Sequence, residues 1–392
     1  MPKFDFRNSR YARFFSDTAN QRFLATFINT EGVIYTNYGW YLTQGKKASA
    51  PTPTDKDGTA TFTVKSRSLE AAPLMDLRAP LGDSNQMDKS GLATYSATIP
   101  DFIAPGWAET AMEREYRVRQ FELFGNDADI VKAWVDDVQL RVDSADTTLN
   151  NLTAQLMSTG KIDYTGLGRG IKMPLHKTAI PAENFVKAGA KVWTDVDCMV
   201  LEQMKNIEDK YRDKRGYTGA LVWQMPRKMF FEVLLENAQV KKLIESYKAN
   251  PYAWQATTQG QSFTEQAFRQ AVVDYQGLSP IEIVTEKERN LTHTKDVFIH
   301  GWAENVAVLR PAGDAVEFEY AENLDRLMFE KYGSKAVNKV FAQTNNGLGT
   351  LVNTTLDNGM FQEWHTDLMM TAVPALLEFP DHLIVDTQTA GV

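Results

Sequence analysis

Cysteine is almost missing from this chain: 392 residues carry one, Cys198, beside five histidines. That excludes a disulfide framework and any structural zinc site built on cysteine, and leaves little material for a histidine metal centre. Long apolar runs are missing too. No stretch approaches the roughly 18 apolar residues that a membrane span needs. The opening Met1-Pro2-Lys3-Phe4-Asp5-Phe6 has no apolar core of a signal peptide. The expected setting is a reducing cytoplasm, or a particle assembled in one. Positive charge is in deficit, 42 Lys and Arg against 50 Asp and Glu for a net of −8. That argues against a surface built as a whole to grip nucleic acid.

What is present is ordinary for folded protein. The hydrophobic share is 43% and the charged share 23%, which excludes disordered and collagen-like chains. At about 150 residues per domain the length predicts two to three domains, with enough chain to bury a large core.

The first seventy residues differ from the rest. They hold ten Lys/Arg and six Asp/Glu, a local net of +4, so the remainder carries −12. Arg7, Arg10, Arg13 and Arg22 are interleaved with Tyr11, Phe14, Phe15 and Phe23. A basic aromatic arm of this kind fits nucleic acid, but docking along an acidic neighbouring subunit is the favoured reading. Ala48 to Asp55, with Pro51 and Pro53, reads as an extended linker.

Two strands are predicted next. Thr59 to Lys65 alternates, with Ala60, Phe62 and Val64 on one face, and Gly91 to Pro100 gives a second run around a polar turn at 81–89. Together they predict a long hairpin with little core of its own, and an isolated two-stranded ribbon is marginal in water.

The strongest periodic signal follows. Val131, Val135, Val138, Val142, Ala145, Leu149, Leu152 and Leu156 are spaced alternately four and three apart, one apolar face of a helix about seven turns long. Asn126 or Asp127 caps its start and Gly160 its end. Asp136, Asp137, Gln139, Arg141, Asp143 and Asp146 occupy the other faces, predicted to be solvated or to meet a polar partner. Residues 161–173 read as strand, turn, strand.

From Val192 to Ile299 the pattern is α/β. Thr194 with Asp197 resembles a capping box opening a helix toward Tyr211, and Ser262 with Glu265 a second one. Ala220 to Trp223 reads as a buried strand, and Pro226 as the first turn of a helix running to about Asn237. Residues 281–284 and 296–299 read as strands, and residues 374–386 as strand broken by proline.

Candidate chemistry is thin. Gly166-x-Gly168-x-Gly170 lacks the following helix that a phosphate loop requires, because Pro174 intervenes; it reads as a turn. His293 and His300 flank a predicted strand, and Glu363-Trp364-His365 offers another pair, but neither supplies a third ligand. Cys198 lies a few residues into a predicted helix, where Asp195 and Asp197 would raise its pKa, so it reads as a buried thiol. No nucleophile elbow or Walker sequence occurs, and Asp136-Asp137 sits on a charged helix face. No cofactor and no metal is expected.

The order of parts is itself informative: arm, ribbon, long helix, compact α/β part, returning strands. Phe121-Glu122-Leu123-Phe124-Gly125 leads into the helix, and residues 151–164 carry it into a hairpin. Residues 279–284 (Ser-Pro-Ile-Glu-Ile-Val) fall in the α/β part, and residues 379–386 (Phe-Pro-Asp-His-Leu-Ile-Val-Asp) close the chain. In these respects the sequence resembles the major capsid proteins of tailed phages with the Hong Kong 97-type fold, in the lambda-E-like branch, from about Ala60 to Val385.

The resemblance implies an α+β fold with the following parts: an N-terminal arm over 1–59, an extended E-loop ribbon over 60–118, and a P-domain over 119–191 with a spine helix at about 129–159. An α/β A-domain over 192–340 and P-domain return strands over 341–392 complete it. It further implies a non-enzymatic shell subunit that forms hexamers and pentamers around double-stranded DNA, in the virion, after assembly in the host cytoplasm. Its partners would be copies of itself, a portal, scaffolding and decoration proteins, and DNA touched weakly. Subunit contacts are expected from Arg7, Arg10, Arg13, Phe14 and Phe15 in the arm and from Leu81, Met87, Lys89, Leu92 and Tyr95 in the ribbon. On the helix they are expected from Asp136, Asp137, Arg141 and Asp143. Lys89 could cross-link to Asn345, Asn346 or Asn353, although that branch generally lacks such links. The alternatives are an encapsulin-like compartment shell, an oligomeric α/β hydrolase, and a nucleic-acid-binding protein using the arm.

Overall fold

The computed structural model describes residues 46–47, 61–66, 93–104, 127–164, 175–249, 277–284, 288–291, 296–299, 301–321, 336–343, 349–357 and 362–391, with positions 17, 19, 20, 22, 26, 268 and 269. In chain order these form β1 (Lys46–Lys47), β2 (Thr61–Ser66), β3 (Ala93–Thr98), β4 (Asp101–Ile103), α1 (Asp127–Thr159), β5 (Lys161–Ile162), β6 (His176–Lys177) and β7 (Phe185–Ala188). Then come α2 (Val200–Arg215), β8 (Leu221–Pro226), α3 (Ala238–Ala249), β9 (Ile281–Val284), β10 (Glu288–Leu291), β11 (Asp296–Ile299), β12 (Val306–Pro311) and β13 (Val316–Tyr320). β14 (Ala336–Gln343), β15 (Gly349–Asp357), β16 (Gln362–Leu376) and β17 (Leu383–Ala390) complete the chain.

The chain divides into two compact units. One comprises Met1–Phe62, Ala97–Leu152 and Val316–Ala375, the other Thr63–Ser96, Thr153–Ala315 and Leu376–Val392. The first carries a sheet of order β1-β13-β16-β15-β14, with β4 also paired to β16. The β14–β15–β16 meander is antiparallel, and β4 holds on through Met369, Met370 and Thr371.

The second unit is built on a mixed sheet of order β7-β17-β12-β8-β9. β12 lies antiparallel to both β17 and β8, while β17–β7 and β8–β9 are parallel. Parallel pairs need crossovers, and α3 lies in the one that joins β8 to β9, while α2 lies between β7 and β8 in the chain. β8 reads Leu-Val-Trp-Gln-Met with all five residues buried, as a central strand covered on both faces must be. Trp193, Leu201, Met204, Trp223, Phe230, Phe268, Leu309 and Val385 form its core. The closing strand β17 lies between β7, from the stretch that also holds the long helix, and β12, so this sheet draws on residues from three of the expected stretches.

The helix α1 matches its prediction, running from Asp127 to Thr159, about 50 Å at 1.5 Å per residue. Gly160 ends it at φ 68, the left-handed conformation that glycine adopts without strain. Val138, Val142, Ala145, Leu149, Leu152 and Leu156 are buried as the spacing requires. The polar faces depart from expectation toward the C-terminal end. There Asn150, Asn151, Thr153 and Ser158 are buried along with the apolar stripe. Arg141, expected on a solvated or partner-facing side, is 6% exposed.

Three local expectations are corrected. α2 begins at Val200, after Met199 as a cap without a side-chain bond. The Thr194–Asp197 stretch makes turns instead, with the Asp195 amide donating to Val192 and the Cys198 amide to Asp195. Pro226 ends β8 and the expected helix follows at once, but after residues 227–228 it is π-helical over Met229–Leu234 and stops there, short of Asn237. The second strand of the short hairpin after α1 is His176–Lys177, paired to β5, beyond the expected 161–173. The Gly166–Gly170 run, the Ser262–Glu265 box, His293 and His300 lie outside the described residues.

Candidate functional site

The ribbon root is the part of the expected contact machinery that the structure places most fully. β2 and β3 pair as a two-stranded sheet, and the turn region between them, with Leu81, Met87, Lys89 and Leu92, lies outside the described residues. So do Arg7, Arg10, Arg13, Phe14 and Phe15. The alternation of β2 is confirmed: Phe62 and Val64 are buried, and Thr61, Thr63 and Lys65 exposed. On the outer face the Thr63 and Ser96 hydroxyls share a hydrogen bond of 2.8 Å.

The ribbon, expected to have little core of its own, packs at its base on another part of the chain. Tyr95 is buried within the chain. Its ring meets Phe379 edge-on at 5.0 Å and His176 at 5.9 Å. Its hydroxyl accepts from the Leu376 amide at 2.8 Å and donates to the Leu376 carbonyl at 3.4 Å. Tyr95, expected among the contact residues, makes these bonds within its own chain.

The segment that Tyr95 grips, 376–382, joins β16 to β17. Phe379–Asp381 is a single turn of 3-10 helix with Pro380 at its start, the position where a missing amide costs nothing. Four separate parts of the chain fasten this corner. His382 Nε2 bonds the Met157 carbonyl at 2.7 Å, near the end of α1. Asn184 Nδ2 donates to the carbonyls of Pro380 at 2.7 Å and His382 at 3.1 Å. The Tyr211 hydroxyl, on α2, donates to the Asp381 carbonyl at 2.9 Å, and Tyr95 supplies the fourth tie. Ser158 adds a further link from α1, accepting from the Ala303 amide at 3.1 Å.

Burial sets the titration of this region. His382 is pushed down to about 4, chiefly by burial and also by the Arg310 charge, against the raising effect of the Met157 carbonyl. His176 is likewise pushed down to about 4 by burial. Burial raises Glu378, with Asp381 adding and Arg310 opposing. Burial raises Tyr164 as well. In each case burial is the largest cause of the shift.

A second polar cage stiffens the five-stranded sheet. Glu208 on α2 is buried. Its Oε1 accepts from Arg212 Nε at 3.1 Å, Arg212 Nη2 at 3.0 Å and the Ser279 hydroxyl at 2.7 Å. Its Oε2 accepts from the Ser279 amide at 3.0 Å and Trp223 Nε1 at 3.4 Å. A carboxylate so surrounded has its lone pairs committed to structure.

Cys198 lies two residues before α2, not within it. It is buried, and its thiol is raised by burial and by Asp195, against Lys191. That is the environment of an inert thiol. Among the described residues no group of three or more His, Cys, Asp or Glu is placed to hold a metal, and no helix is long and apolar enough to cross a membrane.

Of the helix candidates, Asp136 and Asp143 are exposed, and Asp143 accepts from Gln139 Nε2 at 2.8 Å one turn away. Asp137 lies on α1 between them. Sequence reasoning missed an apolar surface on the loop before α2, where Val196 is 70% and Met199 54% exposed. Gln203 braces that loop, accepting from the Gly189 amide and Trp193 Nε1, both at 3.0 Å, and donating to the Lys191 carbonyl at 3.1 Å. The Val-Asp-Cys-Met run carried no periodic signal to reveal it.

No protein-family model and no curated protein matches the chain. Among solved structures it is similar to a prophage protein of E. coli CFT073 assigned to the capsid, at 13% identity and TM-score 0.46, over 93% of this chain and 98% of that one. It is similar to a phage-related protein from Bordetella bronchiseptica RB50, at 13% identity and TM-score 0.41, over 92% and 96%. The capsid of Ralstonia phage GP4 follows at 10% identity and TM-score 0.38, over 91% and 86%. None of these likenesses assigns a role to a residue of this chain.

Proposed function

We propose that the chain is the major capsid protein of a tailed phage, a shell subunit and not an enzyme. It self-assembles as hexamers and pentamers into the icosahedral head around double-stranded DNA, and its place is the virion. The observation that carries this reading is the succession of described parts. A paired ribbon root, a helix of 33 residues and a mixed sheet completed by the last strand follow the order that the sequence resemblance implies. In this reading the Hong Kong 97-type parts hold: arm over 1–59, E-loop over 60–118, P-domain over 119–191 and 341–392, A-domain over 192–340. The ribbon and arm gain stability by burying surface between copies, at about 25 cal/mol per Å² of apolar area less the cost of ordering them. Portal, scaffolding and decoration proteins would be its other partners, and an acidic chain would touch the packaged DNA weakly.

Negative-stain microscopy of the expressed protein tests this. Closed shells of uniform diameter are the expected result. A monomer at every concentration and salt condition would overturn it, and shells filled with an enzyme would transfer the reading to an encapsulin-like compartment.

A further inference from the structure

We infer that Tyr95 is a positioning residue: through its hydroxyl and ring it pins the root of the β2–β3 ribbon to the 376–382 corner, and so sets the ribbon where a second copy of this chain can receive it. The inference rests on the shell-subunit reading for its consequence, but its geometry stands by itself. One phenol oxygen bridges both the amide and the carbonyl of Leu376, at 2.8 and 3.4 Å. That is an unusual use of a hydroxyl, since it takes over the pairing a neighbouring strand residue would otherwise provide. The ring is wedged edge-on against Phe379 and tilted against His176, so it cannot swing without disturbing the corner. The cross-strand hydrogen bond between the Thr63 and Ser96 hydroxyls, by contrast, is solvent-exposed and internal to the ribbon; it fixes register and anchors nothing. Tyr95 is therefore the tie through which the ribbon root and the closing segment move as one. A ribbon that must meet a neighbour at a set angle needs such a tie, because a hinge at its base would spread the contact over many orientations.

The test compares Tyr95→Phe with wild type and with Thr63→Ala as control, in the full chain. Amide exchange is read on unassembled subunits and shell formation by sedimentation and microscopy. Tyr95→Phe keeps the ring and removes the bridge. The Leu376 amide should exchange about five- to tenfold faster, the fold-change of one lost hydrogen bond, with the melting temperature shifted by only a few degrees. Closed shells should fall several-fold in yield and become irregular, while Thr63→Ala assembles like wild type. Wild-type shells together with equal yield and shape from Tyr95→Phe would overturn the inference. If wild type itself makes no shells, the shell-subunit reading fails, and unchanged Leu376 exchange in Tyr95→Phe is then the result that removes the pin as well. Should Tyr95→Phe not fold, the wild-type Leu376 amide decides: protection comparable to β17 is expected, and rapid exchange would overturn the pin.

Discussion

Acid should loosen the subunit at the 376–382 corner before it unfolds the rest. His382 and His176 each hold a folded pKa near 4 against an ordinary value of 6.5. Both rings are neutral in the folded chain, and both take up a proton on unfolding at any pH between those values. The unfolded state therefore binds more protons in that window, so stability is fully present above about pH 6.5 and is lost as pH falls toward 4. The depression of 2.5 units, at 1.36 kcal/mol per unit, amounts to about 3 kcal/mol for each ring, a large part of a typical stability of about 5–15 kcal/mol. Urea unfolding of unassembled subunits at pH 7, 6, 5 and 4 measures it. The midpoint should fall steeply below pH 6.5. His382→Gln, whose amide can still donate to the Met157 carbonyl, should remove about half of that fall. A midpoint flat from pH 7 to 4.5, or a His382 ring that titrates near 6.5 by NMR, would show that neither ring is held neutral by the fold.

Other consequences concern single positions. Glu208→Ala takes the carboxylate from Arg212 Nε and Nη2 and leaves the Ser279 amide and Trp223 Nε1 without their acceptor; it should cost about 3 kcal/mol in urea unfolding, and a loss below about 1 would contradict the cage. Gly160→Ala forces a left-handed residue to carry a Cβ that would meet Ile180 Cδ1 at 2.8 Å. A loss of at least about 1–2 kcal/mol is expected, measured by thermal unfolding. Leu156→Ala on the buried stripe of α1 should cost about 3 kcal/mol, whereas Asp136→Ala on its exposed face should change stability by less than about 0.5.

The parts that sequence made legible are those whose signal is local. Eight apolar residues at spacings of four and three announced α1, and Gly160 its end. Runs of β-branched and aromatic residues announced β8, β9, β11 and the ribbon. The parts that stayed hidden depend on partners far away in the chain. Nothing near Asn184 indicates that it will bond carbonyls almost two hundred residues later, and nothing near His382 points to Met157. The buried polar residues at the end of α1 look like a solvated face until the tertiary partner of Ser158, the Ala303 amide, is in place. Thr194 and Asp197 mimic a capping box because the same side chains that cap helices also make turns. The intramolecular partners of Tyr95 stayed hidden for a similar reason. Alternation says which residues share a face, not which face the rest of the chain will cover.

A shell subunit of the proposed kind completes itself only against copies of itself. Sedimentation velocity of the purified full-length protein at neutral pH, across a hundredfold range of concentration, tests it most directly. A cooperative passage from small species to one large closed particle is the expected result. A single compact species of about 44 kDa throughout that range would contradict it.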